Sequence, residues 1–164
     1  MYKILYLAAG HGKIDIPNVQ VVYQDLIVPR DLGGDMLEID LDGYDLIIAT
    51  PPCNYYSRAN YRRNESEYSL KTRHLLPNII YKLQRLDVPV IVENVRNKRL
   101  MNWFIQSTSL FYHEFGRHSY FTNRLVDFSN IPQIIDNIQY KKNVSRQGGF
   151  NVQLVLEHYI KSVL

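Results

Sequence analysis

Four short runs dense in β-branched and other apolar residues, Lys3 to Ala8, Val19 to Gln24, Tyr44 to Ala49 and Val88 to Glu93, constrain this chain more than any other feature. Each is nearly continuous in apolar residues rather than alternating, the pattern of strands covered on both faces, as in a mostly parallel sheet. Between and after them lie stretches with helical periodicity. Leu76, Ile79, Ile80, Leu83 and Leu86 recur at three and four residues, predicting a helix over about Glu67 to Leu86 that Pro77 kinks or delays. A second helix is predicted over Arg99 to Ser107 and a hairpin over Glu114 to Asp127. A last helix runs from Asn151 to Val163 on Val152, Val155, Leu156, Tyr159, Ile160 and Val163. Strands alternating with helices predict an α/β fold in one domain over residues 1–164, with Asn130 to Gly149 loop-rich.

Composition closes off several classes. No run approaches the roughly 18 apolar residues of a membrane span, and the amino end reads as a strand rather than a leader, so a cytoplasmic protein with no membrane partner is expected. One cysteine in the chain can form neither an internal disulfide nor a Cys-rich zinc site, and no metal centre is expected. Charge is unevenly spread. Residues 1–52 carry three bases against eight acids, a balance of −5, and the remaining 112 carry sixteen bases against eight acids, a balance of +8. An acidic first third beside a basic remainder is compatible with an anionic partner such as nucleic acid, and equally with ordinary solvated surface.

Three segments at predicted strand ends carry chemistry. LAAGHG, Leu7 to Gly12, places glycines where a backbone in a doubly wound fold approaches a nucleotide cofactor, although a tight turn has the same pattern. ATPPCNYYS, Ala49 to Ser57, holds Cys53 behind two consecutive prolines that fix φ, so the thiol leaves a rigid loop at the sheet edge. Arg58, Arg62 and Arg63 follow, and cations so near would lower the thiol pKa toward neutrality; a lone cysteine can also be a small buried hydrophobe. VPVIVENV, Val88 to Val95, ends an apolar strand in an acid and an amide, suited to a ring nitrogen or to solvent.

The order of these segments, a strand, Pro-Pro-Cys, some forty residues containing a helix, then a strand ending Glu-Asn-Val, resembles the cytosine-5 DNA methyltransferases, and more narrowly their short phage-type members. The family's PPC-x-x-[FY]-S stands here as Pro51, Pro52, Cys53, Asn54, Tyr55, Tyr56, Ser57, and its ENV as Glu93, Asn94, Val95. GRHSYF, Gly116 to Phe121, is similar to the RHRxF segment, and GGFNVQLVLEHYI to the closing helix, with Asn151 and Val152 in register.

The resemblance implies a Rossmann-like, S-adenosylmethionine-dependent fold and methylation of cytosine C5 in DNA, duplex or single-stranded, in a bacterial or phage-infected cell. It implies Cys53 as nucleophile at C6, Glu93 as the acid facing N3 and the exocyclic amine, and Arg117 as the cation at O2. Gly10, Gly12, Asp25, Asp35, Pro51 and Asn151 would hold the cofactor. Pro52, Asn54, Tyr56, Ser57, Arg58, Asn94 and His118 would line the substrate site. A target base inside a duplex would have to be flipped out.

The chain departs from the family in three places. Ala8 stands where an aromatic packs on the cofactor, and only Lys13 to Asn18 separate the glycines from the next strand, too few for a useful helix. Ser119 stands where the second Arg of RHRxF belongs. Between Thr122 and Gln147 there is no room for a large target-recognition region, so sequence preference should be weak or supplied by a partner protein. These departures leave open a non-catalytic relative that binds nucleic acid or protein, or the same chemistry on RNA or a free nucleotide. NYYSRANYRR, Asn54 to Arg63, has the composition to stack unpaired bases or simply to fold onto the core.

Overall fold

A computed structural model describes residues 1–131 and 148–164. In chain order the elements are β1 (Tyr2–Leu7), β2 (Val19–Tyr23), β3 (Leu46–Ala49), α1 (Glu67–Thr72), α2 (Leu75–Leu83), β4 (Val90–Val95), α3 (Lys98–Ser107), β5 (Phe111–Phe115), β6 (His118–Thr122) and α4 (Gly148–Val163). The strands form one six-stranded sheet in the order β2-β1-β3-β4-β6-β5. The four central runs pair in parallel, while β6 is antiparallel to both β4 and β5, so the sheet is mixed. The predicted hairpin is present but starts earlier, at Phe111, and ends at Thr122.

Alternation along the strands splits the core into two layers. Leu5, Leu7, Ile47, Ala49, Val90, Val92 and Phe121 face α2 and α3 through Leu76, Ile79, Ile80, Leu83, Met101 and Phe104. Ile4, Tyr6, Leu46, Ile48, Ile91 and Tyr120 face α4 through Val155, Leu156, Tyr159 and Ile160. Because both faces are covered, the strands have no polar alternation, and Leu46 to Ala49 are wholly buried.

The long helix predicted from Glu67 is two helices, and its break lies four residues before Pro77 rather than at it. A proline ring clashes with the carbonyl four residues earlier, here that of Arg73, the last residue of α1's cap. Pro77 itself sits in the first turn of α2, where its missing N–H would have had no helical partner. The freed Arg73 carbonyl accepts a 2.8 Å hydrogen bond from the Tyr56 hydroxyl. The last helix begins at Gly148, three residues before the predicted start. The rest of the stretch expected to be loop-rich lies, beyond Ile131, outside the described residues.

No helix among the described residues is long and apolar enough to cross a membrane. Nor do they contain a group of three or more His, Cys, Asp and Glu side chains placed to hold a metal ion.

Candidate active site

After β1 the chain moves to β2 on one side, then crosses to β3 on the other. Such a reversal opens a crevice at the carboxyl ends of the two central strands, where ligands of open α/β sheets bind. The tips of β1, β2 and β3 are tied together there. The Ala8 amide donates to Gln24 Oε1 at 2.9 Å, the Thr50 hydroxyl to the Ala8 carbonyl at 2.9 Å, and the Gly10 amide to Asp25 Oδ2 at 2.8 Å.

Three of the predicted cofactor residues, Asp25, Gly10 and Gly12, are hydrogen-bonded within the chain itself. Asp25 also accepts the Ile27 and Val28 amides, each at 2.9 Å on Oδ1, and these bonds hold its carboxyl below the usual range against the opposing effect of burial. Of its roughly four lone-pair sites one remains for a ribose hydroxyl. Arg30, which no sequence signal singled out, lies over the Tyr23 ring and donates to the Gly10 carbonyl at 2.7 Å and to the Gly12 carbonyl at 3.0 Å.

The two glycines of the turn differ. Gly10 has φ +52° and nothing within 4 Å of where a Cβ would stand, and Gly33 and Gly34 are similarly open. A Cβ on Gly12 would lie 2.8 Å from both the Ala9 carbonyl and the Tyr6 hydroxyl. Gly12 is therefore small for internal packing, a correction to its predicted role. Gly12→Ala should cost about 1–3 kcal/mol, read as a lower thermal midpoint by circular dichroism, while Gly10 faces open space.

Exposed Asp35 caps a turn by accepting the Leu37 amide at 2.9 Å on Oδ1, leaving Oδ2 without a bond in that turn. An adenosyl group thus fits the residues at the β1–β2 tips, Gly10, Asp25 and Asp35, but not Gly12. The Asn151 side chain lies outside the described residues.

The two central motifs meet at the next pair of strand tips. Parallel pairing of β3 with β4 sets Ala49 opposite Val92, which brings Glu93 level with Thr50 at the start of the Pro-Pro-Cys loop. Asn94, 1% exposed, locks that loop: its Nδ2 donates to the Pro51 carbonyl at 2.9 Å while its Oδ1 accepts the Val95 amide. Beyond the prolines, the Cys53 carbonyl accepts the Tyr56 and Ser57 amides, turning the chain back. Asn97 donates to the Tyr56 carbonyl at 2.7 Å and caps α3.

Cys53 is half-buried, and burial together with the charge of Glu93 pushes its thiol pKa up. This corrects the expected lowering by arginines. Arg62 lies over Tyr61 and near Glu65, Arg63 is bonded to the Ser57 carbonyl, and Arg58 is exposed. Adjacency in sequence does not aim these cations at the sulfur.

Several predicted substrate contacts are structural. Tyr56 is 5% exposed, its ring edge-on to Phe104 and Tyr55, and burial pushes its phenol up to about 12. Asn94 and buried Pro51 are partners of each other. The Asn54 carbonyl is taken by Asn60 Nδ2. Pro52 and Ser57 are half-buried around the turn.

Glu93 projects to the α4 side, on the face of Tyr6 and Tyr120, whose phenols burial and then, among other effects, its charge push upward. Its carboxylate oxygen Oε1 lies 2.6 Å from His118 Nδ1, with the two side chains 12% and 23% exposed. His118, predicted to touch substrate, is thus the partner of the acid. Ser119 points through the sheet the other way, buried against the Asn94 and Val95 carbonyls and Met101. Arg117 is exposed in the β5–β6 turn, where its carbonyl accepts the Arg96 amide.

No family model matches the chain, and no curated protein does. Among solved structures the chain is similar to the methyltransferase EhMeth of Entamoeba histolytica, at 12% identity and a TM-score of 0.45, over 79% of this chain and 54% of that one. This chain therefore spans about half the length of that protein.

Proposed function

We propose that the chain, folded as a Rossmann-like methyltransferase, transfers a methyl group to C5 of cytosine in DNA through a covalent adduct on Cys53. What carries the reading is the meeting, at adjoining strand tips, of a Pro-Pro-Cys thiol and a Glu-Asn-Val acid forty residues apart, with the charge of Glu93 felt at the sulfur.

The Cys53 thiolate adds to C6, and the C5=C6 electron pair moves through C4 toward N3. Glu93 faces N3 and the exocyclic amine; in its protonated form it donates to N3 where that charge collects, and it takes the proton back as the adduct breaks down. S-adenosylmethionine supplies an electrophilic methyl to the resulting enamine-like C5. A water molecule takes the C5 proton, the electron pair of that C–H bond re-forms C5=C6, and the C6–S bond breaks to release Cys53 as thiolate. Gly10, Asp25 and Asp35 would hold the adenosyl group, and exposed Arg117 would reach the cytosine O2.

The loop after Cys53 suits a nucleic-acid partner: Tyr61 is 82% exposed, Arg62 lies 5.6 Å from its ring centroid, and Arg58 is exposed, a base-stacking and phosphate-binding set. Sequence preference would be weak or come from a partner protein. Lys141, Lys142 and Arg146, the bases of the short candidate recognition segment, lie outside the described residues.

One observation favours a second reading, a binding module without catalysis: Arg30 already occupies the carbonyls of the glycine turn. Radiolabelled S-adenosylmethionine offered with duplex DNA, single-stranded DNA, RNA and dCMP tests both. Label at cytosine C5 of DNA is the expected outcome. Label confined to RNA or dCMP moves the substrate, and cofactor that fails to bind at millimolar concentration by titration calorimetry, with or without DNA, supports the binding module.

A further inference from the structure

Strand register gives Glu93 a partner. In the antiparallel β4–β6 pair Glu93 lies opposite Tyr120 and Val95 opposite His118, so His118 and Tyr120 share the face onto which Glu93 projects. A carboxylate and an imidazole 2.6 Å apart, both largely withdrawn from solvent, hold a strong hydrogen bond when charged. We propose that His118 is a positioning residue for the chemistry at Cys53: its imidazolium, held on Glu93, is the counter-charge that keeps this carboxylate from opposing the thiolate. The inference rests on Cys53 as the nucleophile, and it extends that reading by naming what controls the sulfur.

The surroundings single out His118. Around Glu93, β1 brings Tyr6 and β6 brings Tyr120, both neutral phenols with raised pKa, and the loop after β3 brings Cys53. Helix α4 packs on the same face through Val155, Leu156, Tyr159 and Ile160. Its Glu157 is bonded to Gln153 and its His158 to the Asp127 carbonyl. Arg96 is paired with Glu114 at 2.8 Å. Arg117 lies in the adjoining turn. An imidazole changes charge near neutrality. An imidazolium held on Glu93 offsets the carboxylate charge felt at the sulfur, which a neutral ring does not.

Because Cys53 is the single cysteine, alkylation by iodoacetamide followed by intact mass reads this residue alone, without cofactor or DNA. Second-order rates are measured from pH 5.5 to 9.5 for wild type, His118→Asn, His118→Lys, Glu93→Gln and each His118 variant combined with Glu93→Gln. His118→Asn should slow alkylation about threefold to tenfold at the acid end, and His118→Lys, whose cation is fixed, should keep the rate at or above the wild-type value across the range. The effect of each variant should shrink when Glu93 is Gln, because the group at 118 is then no longer held on a carboxylate. Either His118 variant alone suffices if the other fails to fold by circular dichroism. Superimposable wild-type and variant profiles, or differences left undiminished by Glu93→Gln, overturn the proposal. Failure of the methyl-transfer reading shows separately, as unlabelled substrates alongside an alkylation profile that still depends on His118.

Discussion

Cys53→Ser should lower methyl transfer to DNA by about 10⁴- to 10⁶-fold, the loss expected when the covalent nucleophile of an enzyme is removed. A serine hydroxyl at this position has neither the acidity nor the polarisability to add to C6, and neither Arg62 nor Arg63 is placed to activate it, since Arg63 is engaged at the Ser57 carbonyl and Arg62 at Tyr61. The substitution changes one half-buried atom, so the urea midpoint should stay within about 1 kcal/mol of wild type. A single-turnover assay with radiolabelled methyl donor, run beside the denaturation curve, separates chemistry from folding. Activity within a hundredfold of wild type would remove Cys53 from the reaction.

Asn94→Ala is expected to do the most damage to stability and to reduce activity without touching a reacting atom. The Asn94 side chain is buried and makes two hydrogen bonds, one to the Pro51 carbonyl and one from the Val95 amide. Truncation takes this partner from the buried Pro51 carbonyl and from the half-buried Val95 amide, costing about 2–4 kcal/mol in a urea titration. It also unties the Pro-Pro-Cys loop from β4. A displacement of the thiol by about 1 Å would reduce transfer by roughly a hundredfold in the surviving folded fraction. Loss of stability with full activity per folded molecule would mean that Asn94 supports the sheet but not the loop. If stability is unchanged as well, the strut itself is refuted.

What could be read from residues alone was whatever depends on near neighbours along the chain. The β-branched runs became β1, β2, β3 and β4 to within two residues, and the periodicity of the last helix picked out Val155, Leu156, Tyr159 and Ile160 as its buried stripe. Motif order put the Pro-Pro-Cys loop and the Glu-Asn-Val strand at separate strand ends, and β3 and β4 are neighbours in the sheet. What could not be read depends on direction and register. Nothing local says that Tyr56 turns inward to use the carbonyl released by Pro77, or that the Tyr6 hydroxyl, from the preceding strand, fills the space a Cβ on Gly12 would need. The arginines near Cys53 in sequence turn toward their own loop. His118 meets Glu93 only because β6 pairs with β4 in one register; a slip of one residue would present Ser119 instead and bury the histidine on the far side.

The position of β6 between β4 and β5 has a consequence for biosynthesis. When a growing chain has emerged only as far as Val95, β4 offers Val90, Ile91 and Val92 along an edge with no neighbour on its outer side. Open apolar edges recruit strands from other molecules, and the hairpin that covers this one is made some twenty residues later. The same hairpin delivers His118, so a ribosome-bound fragment ending before it would hold both Cys53 and Glu93, lack the counter-ion, and be at its most prone to aggregate.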